Sequence, residues 1–168
     1  MKNHDPKTYI ITLSQHFQSR HSRAGQPTDF AKLFEKGQHL KPLGLEVCKH
    51  KIHTIRANYP LWKKRIDEVV NGEAVLSVRQ WTGRPYFSPQ VKLADLTAEN
   101  GVGIQMLKFH PDKDGVVIWK YFDVDGRYPD VEDIANHDGL SFDDWKEWFK
   151  GYDLSEPLAI IHFTGFRY

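Results

Sequence analysis

The densest group of reactive side chains in the sequence is Lys51-Ile52-His53-Thr54-Ile55-Arg56. Two fixed cations, an imidazole and a hydroxyl lie close together there. Such cations would suit phosphate or sugar contacts, or Arg56 could simply pair with a carboxylate. In a plain strand, Lys51, His53 and Ile55 share one face while Ile52, Thr54 and Arg56 share the other.

A second cluster is Arg79-Gln80-Trp81-Thr82-Gly83-Arg84-Pro85-Tyr86, where Gly83 and Pro85 force a loop. Aromatic faces stack on bases for roughly 1–3 kcal/mol each, and arginines hold phosphates or stack. Arg79, Trp81, Arg84 and Tyr86 are thus candidate ligand contacts, or else anchors for a long hairpin loop. The third cluster, Asn136-His137-Asp138-Gly139, reads as a turn between short helices. Asp138 is a candidate acid, base or positioning group there, and Asp-Gly is also common in turns for conformational reasons alone.

Other chemistries lack their motifs. The chain has no phosphate-binding glycine loop, no Gly-x-Ser-x-Gly and no His-Glu-x-x-His. Gly101-Val102-Gly103 does not continue into a dinucleotide pattern and reads as a turn. Cys48, His50 and His53 are close in sequence, but structural zinc usually needs four closely placed ligands. No metal and no cofactor is expected.

The elements that must position these residues follow from periodicity and punctuation. Tyr9 to Leu13 is β-branched and reads as a strand. Pro27-Thr28-Asp29 opens a short helix with Phe30, Leu33 and Phe34 on one face, stopped near Gly37. Gln38 to Lys49 reads as an irregular excursion, and Lys51 to Arg56 as a strand. Asn58 caps a helix with Pro60 in its first turn and a stripe of Trp62, Ile66, Val69 and Val70. Strands are expected over Ala74 to Val78, Val91 to Leu96, Ile104 to Phe109 and Val116 to Val124, the last two joined by a hairpin. A short helix is expected over Val131 to Ala135. Ser141 opens another containing Trp145, Trp148 and Phe149, which Gly151 ends. Leu158 to Phe163 reads as a last buried strand. Strands and helices mixed in this order indicate an α+β fold.

At 168 residues the chain suits a single domain over 1–168, long enough for a core without disulfides or metal. No apolar run approaches the ~20 residues of a membrane helix, and the polar start lacks a signal peptide's apolar core. Cys48 is the only cysteine, which fits a reducing cytoplasm. The net charge of +1 hides an asymmetry: residues 1–84 hold 15 Lys/Arg against 7 Asp/Glu, while residues 85–168 hold 8 against 15. Such a split either makes one basic face or cancels in space.

The Lys51–Arg56 motif, followed by Trp62, resembles the signature of the ASCH domain family of the PUA-like superfamily. Gly83-Arg84-Pro85-Tyr86, Ala135 to Ser141, Trp145 to Phe149 and Ile160 to Tyr168 extend the resemblance to a variant of bacterial and phage genomes. It implies a small mixed β-barrel of about six strands with short helices packed at its ends, and a role in binding RNA or a modified pyrimidine nucleotide or nucleoside. Lys51, His53, Thr54, Arg56, Arg79, Trp81, Arg84 and Tyr86 would make the contacts. One branch is similar to amidohydrolases that deacetylate N4-acetylcytidine with a lysine, a threonine three residues later and a glutamate. Lys51 and Thr54 match the first two, and Asp138 would replace the glutamate with a side chain one methylene shorter. The resemblance then implies that Lys51, its amine pKa lowered from ~10.4 by burial or by the neighbouring His53 and Arg56, takes the Thr54 proton as Thr54 attacks the acyl carbonyl. Strand alternation lets the two meet only if Lys51 sits in the turn before the strand. The basic first half and the family kinship put the binding reading first and the amidohydrolase reading second. Ribonuclease activity is third, since no paired histidines are identifiable.

Overall fold

A computed structural model describes residues 5–40 and 49–168. Most of the expected excursion before the motif, Cys48 included, lies outside the described residues. The chain order is β1 (Lys7–Leu13), α1 (Phe30–His39), β2 (His53–Arg56), α2 (Tyr59–Val70), β3 (Ala74–Trp81), β4 (Gln90–Leu96), a 3-10 turn (Ala98–Asn100), β5 (Gly103–Pro111), β6 (Val117–Val124), α3 (Val131–His137), α4 (Phe142–Phe149) and β7 (Leu158–His162).

The fold is α+β, but the expected closed barrel of about six strands does not form. The seven strands of the described residues divide into two open sheets, β1-β3-β4 and β2-β7-β5-β6. A barrel needs one unbroken ladder of tilted strands. Here β1 runs parallel to β3, so its chain must cross over through α1, β2 and α2 before pairing. The edge strands β1 and β2 are joined through a side chain instead of a ladder: the Arg56 guanidinium donates to the Thr12 carbonyl.

Helix α2 touches β3 of one sheet and β5 and β7 of the other. Its capping is as the sequence suggests, with Asn58 Oδ1 accepting from the Leu61 N–H at 3.2 Å. Trp62, Ile66 and Val69 are buried, whereas Val70, expected on the same stripe, is exposed near the helix end. Strand β7 is buried along its whole length between β2 and β5. That explains its continuous apolar run in place of alternation.

Gly37 does not stop α1, which continues to His39. Its missing side chain lets the helix press on the site: a Cβ there would lie 2.7 Å from the Lys51 carbonyl oxygen. Among the described residues no helix is long and apolar enough to cross a membrane.

Candidate active site

Strand β2 begins at His53, later than the motif suggests, and Ile52 makes a bend before it. Lys51 therefore stands outside the strand, in an isolated bridge with Asp138. Two backbone bonds hold it there: the Lys51 N–H donates to the Leu33 carbonyl at 3.0 Å and the Ile52 N–H to the His137 carbonyl at 2.9 Å. The bend frees Lys51 from strand alternation. Lys51, Thr54 and Asp138 consequently line one cavity, together with Phe30, Arg56 and Trp148 among others.

Asp138 is delivered by the end of α3. It is the C-cap residue of that helix, and Gly139 follows at φ 82°, a left-handed conformation suited to glycine. A Cβ on Gly139 would sit 3.3 Å from the Lys51 Cβ, so the close approach also favours glycine. Lys51 Nζ donates to Asp138 Oδ1 at 2.5 Å and to the Asp138 carbonyl at 2.7 Å. It also lies 4.2 Å from the centre of the Phe30 ring. Lys51 is 1% exposed, Asp138 3% and Thr54 5%.

Burial dominates the electrostatics. It pushes the Lys51 amine down, against the opposing pull of Asp138, and the Arg56 charge pushes the same way as burial. It pushes the Asp138 carboxyl up, against the charges of Lys51 and Arg56. Desolvation thus drives both partners towards neutrality while their mutual attraction favours the ion pair. The Trp145 indole N–H adds a smaller pull that favours the carboxylate, although Nε1 has no partner within hydrogen-bond distance. The space beside the pair is tight, with about 10 Å³ of room for the centre of a water-sized sphere, scarcely one water.

The arginine-tryptophan segment is only partly a loop. Strand β3 runs through Arg79, Gln80 and Trp81. Arg79 Nε donates to Ser77 Oγ at 2.9 Å and Arg79 lines neither cavity. Trp81, Arg84 and Tyr86 do line a wider groove with Thr12 to Ser19. Leu13 and Ser14 belong to both walls, so the groove adjoins the Lys51 cavity. Tyr86 is 86% exposed, in the left-handed region at φ 66°, and Arg84 lies 4.4 Å from the centre of the exposed Phe87 ring.

His53 takes no part in the cavity. It is fully buried on the other face of β2, where Nε2 is 2.8 Å from the Tyr168 hydroxyl. His137 Nδ1 reaches the same hydroxyl at 2.8 Å. Beside them, His162 Nε2 meets Gln105 Oε1 at 3.0 Å. Sequence reading missed this network because its members are scattered over more than a hundred residues; His53 and His137 stood in separate motifs, and nothing in the sequence joined them to Tyr168. Phe30 and Trp148 were read only as core positions, yet both line the cavity. Among the described residues no group of three or more His, Cys, Asp or Glu is arranged to hold a metal ion. No protein-family model, no curated protein and no solved structure matches the chain.

Proposed function

We propose that the protein is an amidohydrolase acting on a small acylated amine of the N4-acylcytidine class. The observation that carries this reading is the buried Lys51–Asp138 pair opening with Thr54 onto one narrow cavity. A surface module that grips phosphate needs exposed cations, whereas this lysine is buried and paired. A buried ion pair is weak support for stability, so a chemical role for it is the more economical reading. The resemblance of the motif to the ASCH amidohydrolase branch supports the same assignment.

The residues divide the work as follows. The wider groove with Trp81 and Tyr86 takes the ring, and the acyl group meets Thr54 where that groove adjoins the tight Lys51 cavity, whose walls must part to admit it. Proton transfer from Lys51 to Asp138 leaves the amine neutral. It then accepts the Thr54 proton as Thr54 Oγ1 bonds to the acyl carbon. The C–N bond breaks, and the leaving amine takes a proton from the Lys51 ammonium. Water then attacks the Thr54 ester and gives a proton to Lys51, which passes it to Thr54 Oγ1 as the acyl C–O bond breaks and the carboxylic acid leaves. The shorter Asp138 carboxylate reaches Lys51 directly because the bend at Ile52 brings the lysine to it.

Incubation with N4-acetylcytidine tests this reading. Cytidine release by the native protein and its loss in Lys51→Ala and Thr54→Val are expected. Release by the native protein no greater than by Thr54→Val rejects it. A second reading, binding of single-stranded RNA, is favoured by the exposed Tyr86 and Phe87 beside Arg84. That binding would weaken steeply with salt and would be lost in Arg84→Gln.

A further inference from the structure

The network on the rear face of β2 lines no part of the proposed cavity, yet it joins the two segments that form it. His53 immediately precedes Thr54, and His137 immediately precedes Asp138. Their rings meet at one atom, the Tyr168 hydroxyl, 2.8 Å from His53 Nε2 and 2.8 Å from His137 Nδ1. A hydroxyl has a single proton, so it donates to one imidazole and accepts from the other. His53 Nδ1 is buried without a hydrogen-bond partner. A buried N–H with nothing to accept it is costly, which assigns the His53 proton to Nε2. The direction of the chain follows: His53 Nε2–H donates to the Tyr168 oxygen, and the Tyr168 O–H donates to His137 Nδ1.

Tyr168 is itself held at several points. Its N–H donates to Gln105 Oε1 at 2.9 Å, and its carbonyl accepts from Arg127 Nη1 at 3.0 Å. Its ring stacks on His137 with centroids 5.7 Å apart and packs against the edge of Phe166. Gln105 Oε1 also meets His162 of β7, the register partner of His53. The backbone of Tyr168 is therefore tethered to β5 through Gln105, which itself meets His162 of β7.

We propose that Tyr168 is a positioning residue: its hydroxyl clamps the start of β2 to the end of α3 and so sets the separation of Thr54 from Asp138. This assignment takes its functional meaning from the amidohydrolase reading above. Beside the cavity these segments are otherwise joined by the Ile52 N–H to the His137 carbonyl and by Lys51, which bridges to Asp138 and donates its Nζ to the Asp138 carboxylate and carbonyl. A displacement of about 1 Å between reacting groups can lower a rate about 100-fold, so a modest slackening matters.

Tyr168→Phe is the informative variant, because it keeps the ring and the stacking and removes one oxygen. Hydrogen exchange followed by NMR reads the clamp without any assay of turnover. Exchange of the Ile52 amide should quicken tenfold or more relative to amides of β5 and β6. In a turnover assay with N4-acetylcytidine, kcat should fall at least tenfold while KM stays within twofold. Equal changes at Ile52 and in β5 and β6, or an unchanged kcat in an active enzyme, would overturn the proposal. Selective exchange at Ile52 in a protein that never releases cytidine keeps the clamp and discards the reaction.

Discussion

The two faces of strand β2 handle the same physical problem in opposite ways. On one face, Lys51 and Asp138 are buried as a pair, and each charge offsets part of the other's desolvation. On the other, His53, His137 and His162 are buried with no carboxylate partner among the described residues, and burial holds all three in the neutral form. The first face keeps a proton that can move between partners; the second keeps protons in fixed hydrogen bonds. A charged pair suits chemistry, and a neutral, directional network suits positioning. Only a few residues of chain separate the two arrangements.

The largest expected effect comes from breaking the charged face. Lys51→Met leaves Asp138 buried without its partner, and a loss of about 3–5 kcal/mol in urea unfolding at neutral pH is expected. The double variant Lys51→Met/Asp138→Leu should recover most of that loss. Equal losses in the single and double variants would show that packing, not charge, holds this face.

Acid tests the neutral face. Burial first, then the nearby His50 charge, pushes His137 down to about 4. His162 is pushed down to about 3 by burial first, then by the charges of Arg167 and His137. Both folded values lie below the ordinary histidine value, so between them and about pH 6.5 the unfolded chain binds more protons. Stability is fully present above about pH 6.5 and falls as pH drops, by at most about 3 kcal/mol for His137 and about 5 kcal/mol for His162. His137→Gln should flatten the slope of unfolding free energy between pH 6.5 and 4. An unchanged slope would remove His137 from the explanation.

A smaller effect is expected where α1 supports the charged face. Gly37→Ala drives a methyl group against the Lys51 backbone, and a loss of about 1–3 kcal/mol in thermal or urea unfolding is expected. The smallest effect is at the groove rim. Tyr86→Ala should change stability by less than about 0.5 kcal/mol, since the side chain is exposed. It should instead raise KM for N4-acetylcytidine. A loss of stability as large as that of Gly37→Ala would make Tyr86 an anchor of the loop.

Much of the local structure was legible because it depends on neighbours in the chain. Asn58 and Ser141 cap helices as their side chains permit, and both apolar stripes face inward with Val70 excepted. The Lys51–Thr54 spacing marked the site, and the parity argument identified the condition under which it could work. Barrel closure was not legible. It depends on which strand edges pair, and alternation within a strand says nothing about that. Arg79 was misplaced because Gly83 suggested an earlier end to β3 than the ladder with β4 allows.

The residue types alone therefore determined the α+β class, most helices and strands, and the two motifs that hold Lys51, Thr54 and Asp138. Tertiary structure alone decided that two open sheets form, that Lys51 meets Asp138 across 87 positions of chain, and that Tyr168 ties His53 to His137. Local periodicity is set by backbone geometry, which every short segment carries with it. Long-range pairing is set by which surfaces can be buried together, and that is a property of the whole folded chain.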